Sequence, residues 1–315
     1  MTGPISRLLL FVTVAVIAAA QPPGASLSVP VLGYVFDNNA KAIRSVSGVP
    51  GAASLGDLVP LNTSIDSAFV DSWREMAVAN TKQGTVVLIR WSAAPQAANL
   101  PTSLGRVTEV AFAPSGDQAA ISDGTGVEVW TGLSSASPVN SAAFSPDGGV
   151  NALAMNANGL VVVATAKGAI AVLGSPTRAV ATGEDWSGVA FLPNGADVLA
   201  VDAGSGNLVL IQDVQNAAAT SVLASFDSEP GAIAVAQDGT AAALAGAGTI
   251  TLVSLAGGAT ASISCHCTAQ ALDPLEGNLV MHLTDSQSGS ELLVDADSVV
   301  PRVLTLLSVN GGSAQ

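Results

Sequence analysis

Few residues in this chain can carry chemistry. There are 2 histidines, His266 and His282, so the usual general base is scarce. No G-x-S-x-G elbow, H-E-x-x-H helix or G-x-x-x-x-G-K-[ST] phosphate loop occurs. The densest reactive group is Cys265-His266-Cys267. Three chemistries compete for it. Two thiolates and an imidazole could hold a soft metal, but consecutive residues rarely offer zinc its tetrahedral directions. A disulfide across one residue is open to a chain in an oxidising compartment. Reduced or loop-stapling cysteines are the third reading. The disulfide is favoured, in a structural role, and no metal or cofactor is expected. Haem attachment needs C-x-x-C-H, and this is not it.

The acids give less. Asp71, Asp117, Asp147 and Asp238 stand in polar turns, where Asp bonds its own backbone. Asp123-Gly124 and Asp202-Ala203-Gly204-Ser205-Gly206 lack the alternating acids and the bidentate Glu of a calcium loop.

What must position these residues is a repeat. A short apolar alternation ends in a large apolar residue, and a polar turn follows. Val110-Ala111-Phe112-Ala113-Pro114-Ser115-Gly116-Asp117 is matched by Val189-Ala190-Phe191-Leu192-Pro193-Asn194-Gly195 and by Ile233-Ala234-Val235-Ala236-Gln237-Asp238-Gly239. Looser copies put the large residue at Phe36, Phe69, Met155 and Leu272. Ala143-Phe144-Ser145-Pro146-Asp147-Gly148 competes with the copy at Met155. Behind the anchors lie second and third apolar runs joined by small turns, such as Ala119–Ser122 and Val127–Trp130 across Asp123–Gly126. Such runs are hairpin-linked strands. Even spacing near 40 residues is the sequence form of a β-propeller.

The expectation is therefore all-β, with seven blades of four antiparallel strands over residues 31–308. Sheets buried on both faces account for a chain that is 49% hydrophobic and only 11% charged. The alanine abundance is read as close packing between blades, since alanine is a poor strand former.

The blade motif resembles those of WD-repeat and YVTN-type propellers, whose inner strand is followed by a Pro-Asp-Gly-like turn. The resemblance is to the generic blade. Trp130 is followed by Thr131, and no Gly-His precedes the blades, so the hydrogen-bonded tetrad of true WD repeats is absent. The resemblance implies a ring closed by its two chain ends. Ser26–Leu32 is the expected closing strand, beside Leu292–Ala296 or Arg302–Leu307.

In a propeller the loops entering the inner strands converge at a channel mouth, the default place for a ligand. Those loops carry Arg106, Glu184, Asp185, Trp186, Glu229 and His266. Arg106 could clamp a carboxylate in a bidentate fork. Glu184, Asp185 and Glu229 could take a cation or a sugar hydroxyl, with Trp186 stacking. The blander reading makes them solvated loop residues.

Charge and the N-terminus bound the partners. A net charge of -14 excludes nucleic acid, which needs a basic footprint. Arg7 is followed by the apolar run Leu8–Ile17 and by Ala18-Ala19-Ala20, the pattern of a secretory signal peptide over residues 1–20. The run is too short for a comfortable membrane span. The expected protein is thus a secreted or periplasmic monomer with a flexible tail over residues 309–315. It would act as a non-catalytic scaffold for a protein, small-molecule or carbohydrate ligand. A lactonase-like hydrolase and a carbohydrate- or cofactor-binding surface propeller are the alternatives.

Overall fold

The computed structural model describes residues 29–308 apart from 93, 228–229, 259 and 286–289. The expected signal peptide over residues 1–20, most of the 21–30 segment, the expected tail over 309–315 and the candidate Glu229 lie outside the described residues. Apart from one 3-10 turn, Pro50–Ala52, every named element is a strand. No helix among the described residues is long and apolar enough to cross a membrane.

The strands form a β-propeller of six hydrogen-bonded sheets, where seven separate blades were expected. Each sheet begins at the channel and steps outward in chain order. Their first strands are Val31–Asp37, Ile65–Asp71, Glu109–Phe112, Ala152–Met155, Trp186–Phe191 and Pro230–Val235. Four sheets have four strands, the first has three, and the sixth has six. The sixth is large because two of its strands do not stop. Ala241–Ser254 pairs with Pro230–Val235 through its first half and with Thr260–Pro274 through its second. The second half of Thr260–Pro274 then pairs with Val280–Asp285. Two repeats are thereby joined in one sheet, which gives the channel two inner segments. The structure also puts Met155 on an inner strand and Phe144 on the outer strand Val139–Phe144.

Burial follows position across each sheet. The second strands Met76–Thr81, Val161–Thr165 and Val198–Asp202 are buried throughout, while the outer strand Gln96–Asn99 is wholly exposed. Apolar clusters fill the spaces between neighbouring sheets, as where Val78 and Leu88 meet Ile121 and Trp130. Ala77, Ala79, Ala119, Ala120, Ala243 and Ala245 are fully buried in strands. Tight face-to-face packing overrides their weak strand propensity.

The ring closes through the C-terminal segment. Leu55 N–H donates to Leu307 O at 3.0 Å, and Leu55 and Ser308 form a parallel bridge. Arg44 Nη1 donates to Ser308 Oγ at 2.9 Å. Leu306 is buried with Leu32, Val46, Leu55 and Leu293. This contact lies beside the first sheet, at Ser54–Leu58. The expected contact was an N-terminal strand beside the last one, and residues 26–28 of that segment lie outside the described residues.

Candidate functional site

A cavity of about 530 Å³ runs along the channel. It lies within the range of small-ligand sites. Its geometry starts from a recurring irregularity. Five inner segments carry a bulge near their start, and the residues straight after it are Gly33, Ser67, Gly188, Ala232 and Ala271. The first paired residues of the other two segments are Glu109 and Ala152. Bulges re-aim side chains, and here the ring position is kept small everywhere except at Glu109.

Glu109 is partly buried. Burial raises its carboxyl, the charge of Asp273 raises it further, and the result is a pKa of about 7. Asp273 lines the same cavity, with Ser67, Thr108 and Thr284. Behind Asp273 stands His282, directly across the strand pair. Its Nδ1 lies 3.6 Å from Asp273 Oδ2 and its Nε2 lies 2.5 Å from Glu291 Oε2. Burial lowers the imidazole's pKa, but Asp273 and Glu291 outweigh it and lift it to about 9. Glu291 Oε1 also accepts the Asn38 N–H at 3.2 Å. The chain Glu291–His282–Asp273 thus fixes a carboxylate on the channel wall from behind. His282 is the one basic side chain among the lining residues.

Of the residues expected at the mouth, those described do not line this cavity. Arg106 is exposed and pairs with Asp66 Oδ2 at 2.5 Å and Ser67 Oγ at 3.1 Å. Its fork is held by the neighbouring sheet, and through Ser67 it touches the cavity lining. Glu184 and Asp185 are exposed. Their backbone N–H groups donate to Asp202 at 3.3 and 3.0 Å, which fixes their loop. Trp186 is 2% exposed within the core between the fourth and fifth sheets. It offers no stacking face, and its Nε1 has no hydrogen-bond partner. His266 is exposed on the sixth sheet. Cys265 and Cys267 on either side of it are joined in a disulfide, with Cα atoms 5.3 Å apart. None of these residues lines the cavity.

Sequence reasoning missed Glu109 and gave His282 no role. No sequence signal singled out Glu109: three residues before the other large residues stand Gly33, Asp66, Ala152, Gly188, Ala232 and Ala269, one of them also a carboxylate, and Ser67 and Ala271 reach the ring position only through the bulges. The pairing of His282 with Glu291 had no signal either, because it depends on strand register.

No group of three or more metal-ligating side chains is gathered among the described residues. No family model and no curated protein matches the sequence. Among solved structures, a functionally unknown protein from Desulfotomaculum acetoxidans is similar with a TM-score of 0.62. The match covers 88% of this chain and 99% of that one at 14% identity. At that identity the likeness shows the propeller fold alone.

Proposed function

We propose that the chain is an exported, non-catalytic binding propeller whose channel takes a small organic cation. Glu109 carries this reading. A carboxylate occupies the one ring position that the other inner segments keep small, and it shares a cavity with Asp273. Glu109 and Asp273 would bind the cationic group, and Phe69 and Val70 would face its apolar part. Export is supported by the Leu8–Ile17 pattern and by the disulfide, which suits an oxidising compartment.

Within this proposal the six-stranded sheet counts as two blades. What supports this is that its halves pack face to face, Ala243 and Ile250 lying in one cluster with Met281, Leu283 and Val294. The likeness to WD-repeat and YVTN-type blades belongs to the same reading, supported by the turn after each anchor.

The test is a thermal-shift panel of putrescine, choline, glucose and citrate. Putrescine or choline should raise the melting temperature, and citrate should not. Stabilisation by glucose alone would replace the cation with a carbohydrate. A panel with no response would defeat the channel reading.

One observation favours a second reading. A carboxyl with a pKa of about 7 is suited to general base catalysis near neutrality. Lactone hydrolysis that is lost in Glu109→Gln would establish a hydrolase.

A further inference from the structure

Cys265, His266 and Cys267 sit at the crease of the sixth sheet. Thr249 pairs with Ser264 and Ala247 with Thr268, so these three residues together face the single residue Gly248. Gly248 has a φ of +79°, which favours glycine. Its missing side chain leaves the neighbourhood open, since an added Cβ would meet only Cys265 O, at 3.7 Å.

A disulfide that closes so short a loop removes little freedom from the unfolded chain, because loop-closure stabilisation grows with loop length. The flanking ladder already pins the crease from both sides. A staple is therefore a weak reason for this bond. The exposure of the two sulfur-bearing residues is also unequal. Cys267 is 5% exposed in the core of the sixth sheet, while Cys265 is only partly buried beside exposed His266. A half-open cysteine gives an attacking thiolate access to one sulfur of the bond and not the other, and access is one of the conditions of thiol exchange.

We propose that Cys265–Cys267 is a thiol–disulfide exchange site for low-molecular-weight thiols. A thiolate attacks Cys265 Sγ, the S–S bond breaks, and the electron pair leaves on Cys267 Sγ, which takes a proton from solvent. A second thiolate attacks the outer sulfur of the mixed disulfide. It departs as the oxidised small-molecule disulfide, and Cys265 leaves as a thiolate and is protonated. Two thiols are oxidised and one protein disulfide is reduced, and the small-molecule disulfide can reverse both steps. The site is separate from the channel and stands or falls independently of it.

The test uses the full oxidised chain without denaturant, in glutathione buffers of graded ratio, with alkylation and mass spectrometry. Two thiols should appear together along one reversible curve, at a rate proportional to thiol concentration, while near-UV circular dichroism stays native. Alkylation only after unfolding, or at a rate independent of thiol, overturns the proposal. In variants with native dichroism, Cys267→Ser should trap one glutathione on Cys265 about tenfold faster than Cys265→Ser traps one on Cys267. Equal or reversed rates overturn it. The wild-type result decides if either variant fails to fold.

Discussion

His282 Nε2 lies 2.5 Å from Glu291 Oε2, with both side chains buried. The two residues are nine apart in sequence and sit on adjacent strands, Val280–Asp285 and Glu291–Asp295. This pair connects the sixth sheet's interior to the channel, because the other ring nitrogen of His282 faces Asp273.

Removing the histidine should be costly. His282→Ala leaves Glu291 buried without its imidazole partner, with the Asn38 N–H still donating to it among the described residues. A loss of about 3 kcal/mol is expected, the usual scale for breaking a buried pair. Urea denaturation at pH 7 measures it. A loss under about 0.5 kcal/mol, the scale of a neutral surface change, would contradict the pairing.

The same pair sets a pH dependence. The folded pKa of His282 is raised to about 9 from an ordinary 6.5. The folded state therefore holds its proton more tightly than the unfolded chain does. That stabilisation is fully present below about pH 6.5 and is lost as pH rises through 9. Melting temperatures across this window should fall in the wild type and fall less in His282→Gln.

Glu109 acts in a lower window. Its folded pKa is about 7 against an ordinary 4.5. Folding favours the protonated acid, so stability declines as pH rises from about 4.5 to about 7. Glu109→Gln should match the wild type near pH 4 and be more stable than it at pH 8. Equal melting temperatures at pH 8 would remove the case for a constrained channel carboxylate.

Ring closure is testable at its seam. Leu306 is 4% exposed among Leu55, Val46 and Leu293. Leu306→Ala should cost about 2–4 kcal/mol through lost burial and a cavity. Deleting residues after Thr305 should cost more, since the Leu307–Leu55 bond goes as well. Unchanged stability in the truncated chain would place the closure elsewhere.

The propeller was legible because its signals are local. Phe36, Phe112, Met155 and Phe191 each lie at or next to the end of an inner strand, Phe69 lies two residues before the end of its own, and small turns separate the strands behind them. The sheet count was not legible. Gly246-Ala247-Gly248 reads as a turn, yet the strand runs on to Ser254 because its second half finds a partner in Thr260–Thr268. The site was legible only as a general location. Loops around Arg106 and Asp185 were rightly placed before inner strands, and there Arg106 pairs with Asp66 while the Asp185 backbone N–H donates to Asp202. Part of the acidic surplus therefore serves as loop clamps. Asp123 Oδ2 accepts the Gly105 N–H at 3.1 Å, and Asp285 Oδ1 accepts the Thr268 N–H at 2.8 Å. Glu109 is distinguished only by comparison with small residues on six other segments, which requires the bulge register.

The channel as a cation site is tested most directly by titrating putrescine into the wild type and Glu109→Gln by calorimetry at pH 8 and pH 5. Binding to the wild type at pH 8 is expected, weaker by about tenfold or more at pH 5, where a carboxyl of pKa about 7 is protonated. Glu109→Gln should bind weakly at both pH values. Equal affinity in both proteins at both pH values, or no binding to the wild type at pH 8, would contradict it.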